Sequence, residues 1–244
     1  MSGSRMIVEA AAPPAGFTLW LTAARPRTLP LSVAPVLAAL ALAWREAAVF
    51  YPGAAVAALA GAMLIQIGTN YYNDAADGER GADGPDRLGP RRATASGWAS
   101  AAAVKRAALA AFALAAVAGL YLAWVGGWPI LLLGATSLAA GWAYTVGPRH
   151  IAYTALGEVF VLAFFGLAAV CGTYWLQAGT VSPAAAVLGV LLGLPAAAVL
   201  TVNNHRDRET DARAGRRTLA IRLGRGGTIR LYAGLLLGAW SLVP

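Results

Sequence analysis

The stretch Ala54–Asp77, AAVAALAGAMLIQIGTNYYNDAAD, decides the architecture of this chain. From Ala54 to Tyr72 it holds no Asp, Glu, Lys, Arg or His. An apolar run of about 20 residues is what an α-helix needs to cross the hydrocarbon core of a bilayer. The run ends directly in Asn73, Asp74 and Asp77. Carboxylates at the end of a membrane helix are costly and call for something that neutralises them.

Hydrophobic residues make up 59% of the 244 and charged residues only 12%, far below the roughly 25% charged of an ordinary soluble domain. We place about seven apolar stretches of spanning character: Leu29–Trp44, Ala54–Tyr72, Ala101–Val125, Trp128–Val146, Ala155–Leu176, Pro183–Val202 and a short Thr228–Val243. The expected fold is all-α, a multi-span transmembrane helical bundle forming one domain over residues 1–244 with no soluble domain. Met1–Phe17 contains Glu9 and lacks a basic start followed by an apolar core, so no signal peptide is expected.

A net charge of +8 would point to nucleic acid in a soluble protein. Here its placement gives topology instead. Arg25 and Arg27 precede the first stretch; Arg80, Arg87, Arg91 and Arg92 follow the second; Arg149 follows the fourth; and the series Arg206 to Arg230 follows the sixth. The opposite loops carry little beyond Arg45 and Glu46. By the positive-inside rule the arginine-rich loops are cytoplasmic, and the partner is lipid rather than nucleic acid. Cys171 is the single cysteine, which leaves no disulfide framework and no cysteine metal site.

A second polar cluster, NNHRDRETDARAGRR from Asn203, follows the sixth stretch. Asn70, Asn73 and Asp77 fall at i, i+3 and i+7, on one helical face if the helix continues past Tyr72; Asn203, Asp207 and Asp211 fall at i, i+4 and i+8 and do the same. Two facing stripes of amide and carboxylate oxygen suit Mg²⁺, which keeps several waters and bridges to substrate phosphates. Arginines flank both clusters: Arg80, Arg87, Arg91 and Arg92 beside the first, and Arg206, Arg208, Arg216 and Arg217 beside the second. Guanidinium forks bind phosphate bidentately, so acids and arginines together point to a diphosphate ester. A long isoprenoid on that ester would account for the membrane. The bland reading of each cluster alone is a solvated cap or an ion-pair network.

These motifs resemble those of the UbiA-like intramembrane aromatic prenyltransferases. The first reads NDxxD with a further acid at Asp83, where the general pattern places it four residues after Asp77 and this chain has Gly81. The spacing ND-x-x-D-x-x-x-G-x-D, followed by DRLGP and a basic pair, is similar to the branch that prenylates 1,4-dihydroxy-2-naphthoate on the way to menaquinone. ARPRTLPLSVAPV near the start, YTVGP from Tyr144, LGEVFVLAFFGLAAVCGTYWLQ from Leu156, and NNHRD with GRRTLAIRLG agree with it. The resemblance covers about residues 17–240.

The resemblance implies that Asn73, Asp74, Asp77, Asp83, Asp207 and Asp211 supply ligands to Mg²⁺ on a polyprenyl diphosphate, with Asp77, Asp207 and Asp211 central to catalysis. Arg149 would touch the diphosphate, with Asn70, Asn203, Arg87, Arg91, Arg206 and Arg217 lining the substrate site. Tyr144 would face the allylic cation or serve as an interfacial anchor. Arg25 is a candidate partner for the carboxylate of the aromatic acceptor, or a topology residue. Glu158 lies within an apolar stretch and is either structural or part of the site. The implied reaction transfers the prenyl group to dihydroxynaphthoate with loss of diphosphate and CO₂, giving demethylmenaquinol, in the cell membrane with the site facing the cytoplasm. Competing readings are 4-hydroxybenzoate or homogentisate as acceptor, and a transporter, although transport acids more often lie at mid-span. Nine spans are usual in that family, so seven ending at Pro244 raise the expectation of a chain truncated at its C-terminus.

Overall fold

The structure, a computed structural model, describes residue 14 and residues 16–81, 89–146 and 150–243. Asp83, Arg87 and Arg149 lie outside the described residues. Among the described residues every regular element is helical: α1 (Phe17–Ala24), α2 (Pro30–Ala47), α3 (Pro52–Glu79), α4 (Ala101–Gly126), α5 (Trp128–Thr145), α6 (Gly157–Val161), α7 (Ala169–Ala178), α8 (Pro183–Arg206), α9 (Arg208–Arg213) and α10 (Leu219–Trp240). A π-helical segment, Leu162–Ala168, joins α6 and α7 into one rod, Gly157–Ala178.

Each of the seven apolar stretches lies on a helix. By length and composition four of them, α3, α4, the Gly157–Ala178 rod and α8, can each cross a membrane, and the pair of α1 and α2, bent by 58°, makes up to a fifth. This is fewer than the seven counted from apolar runs. The 18 residues of α5 reach only about 27 Å and close in GWAYT. The last helix carries Arg222, Arg225 and Arg230 and is broken at Gly224, whose φ of 64° and ψ of −176° leave the helical region. Glycine adopts that conformation at little cost.

Local chemistry sets the ends. Pro52 and Pro183 open α3 and α8 where their missing N–H is harmless. Ser182 Oγ accepts the Ala185 N–H at 3.1 Å, and Ser100 Oγ accepts that of Ala103 at 3.2 Å. At 28 residues, α3 is about 42 Å long, more than the roughly 30 Å of hydrocarbon it must cross. Its last turns, with Asn73, Asp74 and Asp77, therefore stand beyond the apolar run while still helical.

Small residues let the helices approach closely. Ala39, Ala43, Ala75 and Ala108 are fully buried between them. The tightest contact is between the π-helical segment and α8: a Cβ on Gly166 would lie 2.8 Å from the Gly193 Cα, and one on Gly193 would lie 3.0 Å from the Leu162 carbonyl oxygen. Side chains turned outward on α4, Leu109, Leu114, Val117 and Leu120, are exposed, as a lipid-facing surface requires. Trp44, Tyr51, Trp124 and Trp128 are exposed where α2 ends, α3 begins, α4 ends and α5 begins, forming an interfacial aromatic belt. The first carboxylate motif lies at the other end of α3.

Candidate active site

At the end of α3 opposite the belt, Asn70, Asn73 and Asp77 share one face and are 6%, 9% and 0% exposed. The helix does continue past Tyr72, as their spacing requires. Asn70 Nδ2 donates to the Ala24 carbonyl at 2.9 Å and to Thr28 Oγ1 at 3.1 Å, fixing the bend between α1 and α2. That bend turns on Arg25, held at φ 55°. Arg25 Nη2 donates to Asn73 Oδ1 at 3.1 Å, and Arg92 Nη2 donates to the same oxygen at 2.9 Å. Asp74 is used differently: its two oxygens accept the main-chain N–H groups of Ala93 and Thr94, both at 2.9 Å. Gly78 leaves room for Thr94, whose Cγ2 would be 2.6 Å from any Cβ there. The loop after α3 is thereby folded back so that Arg92 reaches the site.

The second motif departs from one continuous helix. It breaks at Asp207 (φ −90°, ψ 7°), between α8 and α9. The register nevertheless persists, because the Asp207 N–H bonds to the Asn203 carbonyl at 3.0 Å and the Asp211 N–H to the Asp207 carbonyl at 2.8 Å. Arg206 binds Asp207 through Nε at 2.8 Å and Nη2 at 2.7 Å. After α9 the chain reverses at Gly215 (φ 77°), with the Arg216 N–H on the Asp211 carbonyl at 2.9 Å and the Gly215 N–H on that of Ala212 at 3.1 Å. This is a glycine-dependent helix stop of the Schellman type.

That reversal carries Arg216 into the middle of the site. Its Nη2 lies 2.7 Å from Asp77 Oδ2 and its Nη1 3.4 Å from Asp211 Oδ1, so one guanidinium ties the two motifs together. Arg92 Nη2 is 3.7 Å and Arg80 Nη1 4.0 Å from the same Asp77 carboxylate. Burial works against the Arg216 charge, but Asp77 and Asp211 outweigh it and raise its pKa, so it remains a cation at any physiological pH. The Tyr153 ring lies beneath both Arg216, 4.7 Å away, and Arg80, 5.6 Å away, a cation–π arrangement that orders both forks. The Tyr153 carbonyl also accepts the Arg217 N–H at 2.9 Å. Burial first, and then Arg80, lower the pKa of His150, which packs edge-on against Tyr153 at 4.8 Å.

Arg92, Arg216 and Tyr153 are the site residues that spacing does not single out. Both arginines stand in the flanking basic runs, and only loop reversals show which of those cations turn inward; the one sequence signal is Gly215 just past a short helix. Arg91 and Arg217 have exposed side chains. Asn203 and Tyr144 line the cavity described next. Among the described residues no three acids, histidines or cysteines gather as a protein-only metal cage.

A cavity of about 500 Å³ begins beside this cluster, at Arg25 and Asn73. Along α3 its wall is Ala58, Gly61, Ala62, Ile65, Gln66, Thr69, Asn70 and Asn73, one helical face running about 22 Å. Arg25, Asn73, Asn203 and Tyr144 stand at its polar end, and Val36, Leu122, Ile130 and Leu176 at its apolar depth. The chain thus joins a guanidinium and carboxylate cluster to a long greasy groove.

The chain is 45% identical over 223 residues to 1,4-dihydroxy-2-naphthoate octaprenyltransferase of Mycobacterium tuberculosis, covering 91% of this chain and 75% of that protein. It is 40% identical over 226 residues to the Escherichia coli protein of the same name, covering 90% and 73%. In fold it is similar to a UbiA homolog from Archaeoglobus fulgidus bound to DMAPP and Mg²⁺, with a TM-score of 0.71 at 15% identity, over 91% of this chain and 75% of that one. Residues 32–244 match the UbiA prenyltransferase family, and the chain belongs to it.

Proposed function

We propose that this chain is an integral membrane prenyltransferase that moves a polyprenyl group from polyprenyl diphosphate to 1,4-dihydroxy-2-naphthoate, releasing diphosphate and CO₂ and giving demethylmenaquinol. The observation that carries the reading is that the apolar groove along α3 ends at Asn73, whose Oδ1 accepts from Arg92, one of the arginines gathered on Asp77. A molecule with an anionic head and an isoprenoid tail is complementary to both ends. The acceptor is supported by the relatives that carry the name of this reaction.

The residues present fit Mg²⁺. Both Asp77 oxygens are sealed from solvent and accept no well-directed hydrogen bond, despite the short approach of Arg216, and hard carboxylate oxygens are the donors this ion prefers. Asp77, Asp207, Asp211 and Asn73 would hold it, with water and diphosphate oxygens completing the shell. Asp74 serves instead as the anchor of the Arg92 loop. When bound, Mg²⁺ supplies charge neutralisation to the leaving diphosphate. Arg216 and Arg92 add fixed guanidinium donors on the same group, worth most in a site closed to water. Arg25 stands at the polar end of the cavity, where it would receive the acceptor carboxylate. The Tyr144 ring would border the allylic carbon, an electron-rich face that stabilises positive charge without trapping it. The acceptor ring is the nucleophile, and no covalent enzyme intermediate is required.

Membranes containing the protein, given Mg²⁺ and a polyprenyl diphosphate, are expected to form a prenylated product with dihydroxynaphthoate. Product with 4-hydroxybenzoate or homogentisate instead would move the reading to that acceptor. We further propose that both motifs face the cytoplasm of the cell membrane, on the arginine count of their loops. In a Cys171→Ala background, single cysteines at the exposed positions Ser96 and Ala212 should react with an impermeant maleimide only after the inner face is opened. Labelling of either from outside intact cells refutes that orientation.

A further inference from the structure

One buried carboxylate, a helical turn beyond the polar end of the cavity, is unused by this reaction scheme. Glu158 lies in the first turn of the Gly157–Ala178 rod and is 5% exposed. Its Oε1 accepts a hydrogen bond from Asn204 Nδ2 at 3.0 Å. Its Oε2 is sealed from solvent and meets no donor. An acid in a membrane-embedded bundle is expensive to keep, and one satisfied on a single oxygen more so, which marks it for a functional part. Asp74, by contrast, uses both oxygens, on Ala93 and Thr94.

Its position says which part. Val161 lines the cavity, and Glu158 is three residues earlier on the same helical face. On α8 Leu200 and Asn203 line the cavity, and Asn204 is four residues beyond Leu200. The Glu158–Asn204 pair does not itself line the cavity but stands one helical turn beyond residues that do, at its polar end. The Tyr144 phenol, part of the cavity wall, lies within electrostatic reach of Glu158 as well as of Arg216, Arg25 and Asp77.

We propose that Glu158, oriented by Asn204, recognises a hydroxyl of the aromatic acceptor, with Oε2 accepting the hydrogen bond from the ring O–H. The inference rests on the function proposed above and deepens it. A carboxyl oxygen that meets no donor can accept one, so it selects a ligand that donates and stays unpaired when that donor is missing. In 1,4-dihydroxy-2-naphthoate the hydroxyl beside the carboxylate is engaged by that carboxylate, which leaves the 4-hydroxyl as the free donor. Arg25 and Glu158 would then read opposite polarities of one ring.

The test compares the diol with 1-hydroxy-2-naphthoate, which lacks the 4-hydroxyl, as a competitive inhibitor. In Glu158→Gln the KM for the diol should rise at least about tenfold, while the KM for prenyl diphosphate and the Ki of the analogue stay within about twofold of wild type. Glu158→Asp should recover part of the loss, and Asn204→Ala should shift the same ratio in the same direction. Equal weakening of diol and analogue, or an equal rise in both substrates' KM, overturns the proposal. So does failure of both Glu158→Gln and Asn204→Ala to accumulate, since the pair is then structural. If wild type prenylates a different phenol and not the diol, the functional reading fails on its own. The same comparison with that phenol and its deoxy analogue then decides the role of Glu158.

Discussion

Asp77→Asn should lower turnover by at least about a hundredfold, equivalent to about 2.7 kcal/mol of transition-state stabilisation, while the protein inserts and accumulates normally. The substitution keeps the shape of a side chain that is 0% exposed and removes one negative charge from the point where Arg216, Arg92 and Arg80 converge. Without that charge the metal loses a ligand and the arginines lose the anion that spaces them. Both changes fall on the departing diphosphate. The comparison is made in membranes at saturating Mg²⁺ and prenyl diphosphate, with Asp77→Ala and Asp211→Asn alongside. Activity above about a tenth of wild type in Asp77→Asn is incompatible with a metal role for this residue, given the several kcal/mol expected of a lost ligand.

Arg216→Ala should be as damaging, by a different route. The guanidinium bridges Asp77 and Asp211 and rests on the Tyr153 ring, so its loss removes the nearest counter-charge of Asp77 and the tie between the two motifs. Breaking one partner of a buried ion pair typically costs about 3–5 kcal/mol. Part of that should appear as a lower melting temperature of the detergent-solubilised protein. The rest should appear as a rise in KM for prenyl diphosphate of at least about thirtyfold, the acceptor KM changing little, because a phosphate-binding fork is gone. Arg216→Lys keeps the charge without the fork and should fall between the two. If Arg216→Ala binds prenyl diphosphate as wild type does, then Arg216 is a structural strut and diphosphate recognition belongs to the other arginines.

Much of this protein is legible along the chain because the membrane imposes its rules locally. Lipid offers backbone groups no hydrogen bonds, so each long apolar run must be a helix, and Ala54–Tyr72 could be read as one without neighbours. Helical spacing alone then placed Asn70, Asn73 and Asp77 on one face, and the asymmetry of arginines set both motifs at one end. The positions of the individual cations were not legible in the same way. Arg92 and Arg91 are adjacent, as are Arg216 and Arg217, and each pair is equivalent to any argument from charge count. Only the fold separates them: Asp74 clamps the loop that turns Arg92 inward, and the reversal at Gly215 does the same for Arg216, leaving Arg91 and Arg217 in solvent. The same holds for Asp74 and Asp77, three residues apart, one spent on main-chain N–H groups and the other on guanidinium. Composition and period determined that there are helices, where they lie and which end is polar, since those follow from the solvent and from 3.6 residues per turn. Which polar atom meets which was decided by tertiary structure, because a loop reversal of one residue exchanges an inward side chain for an outward one.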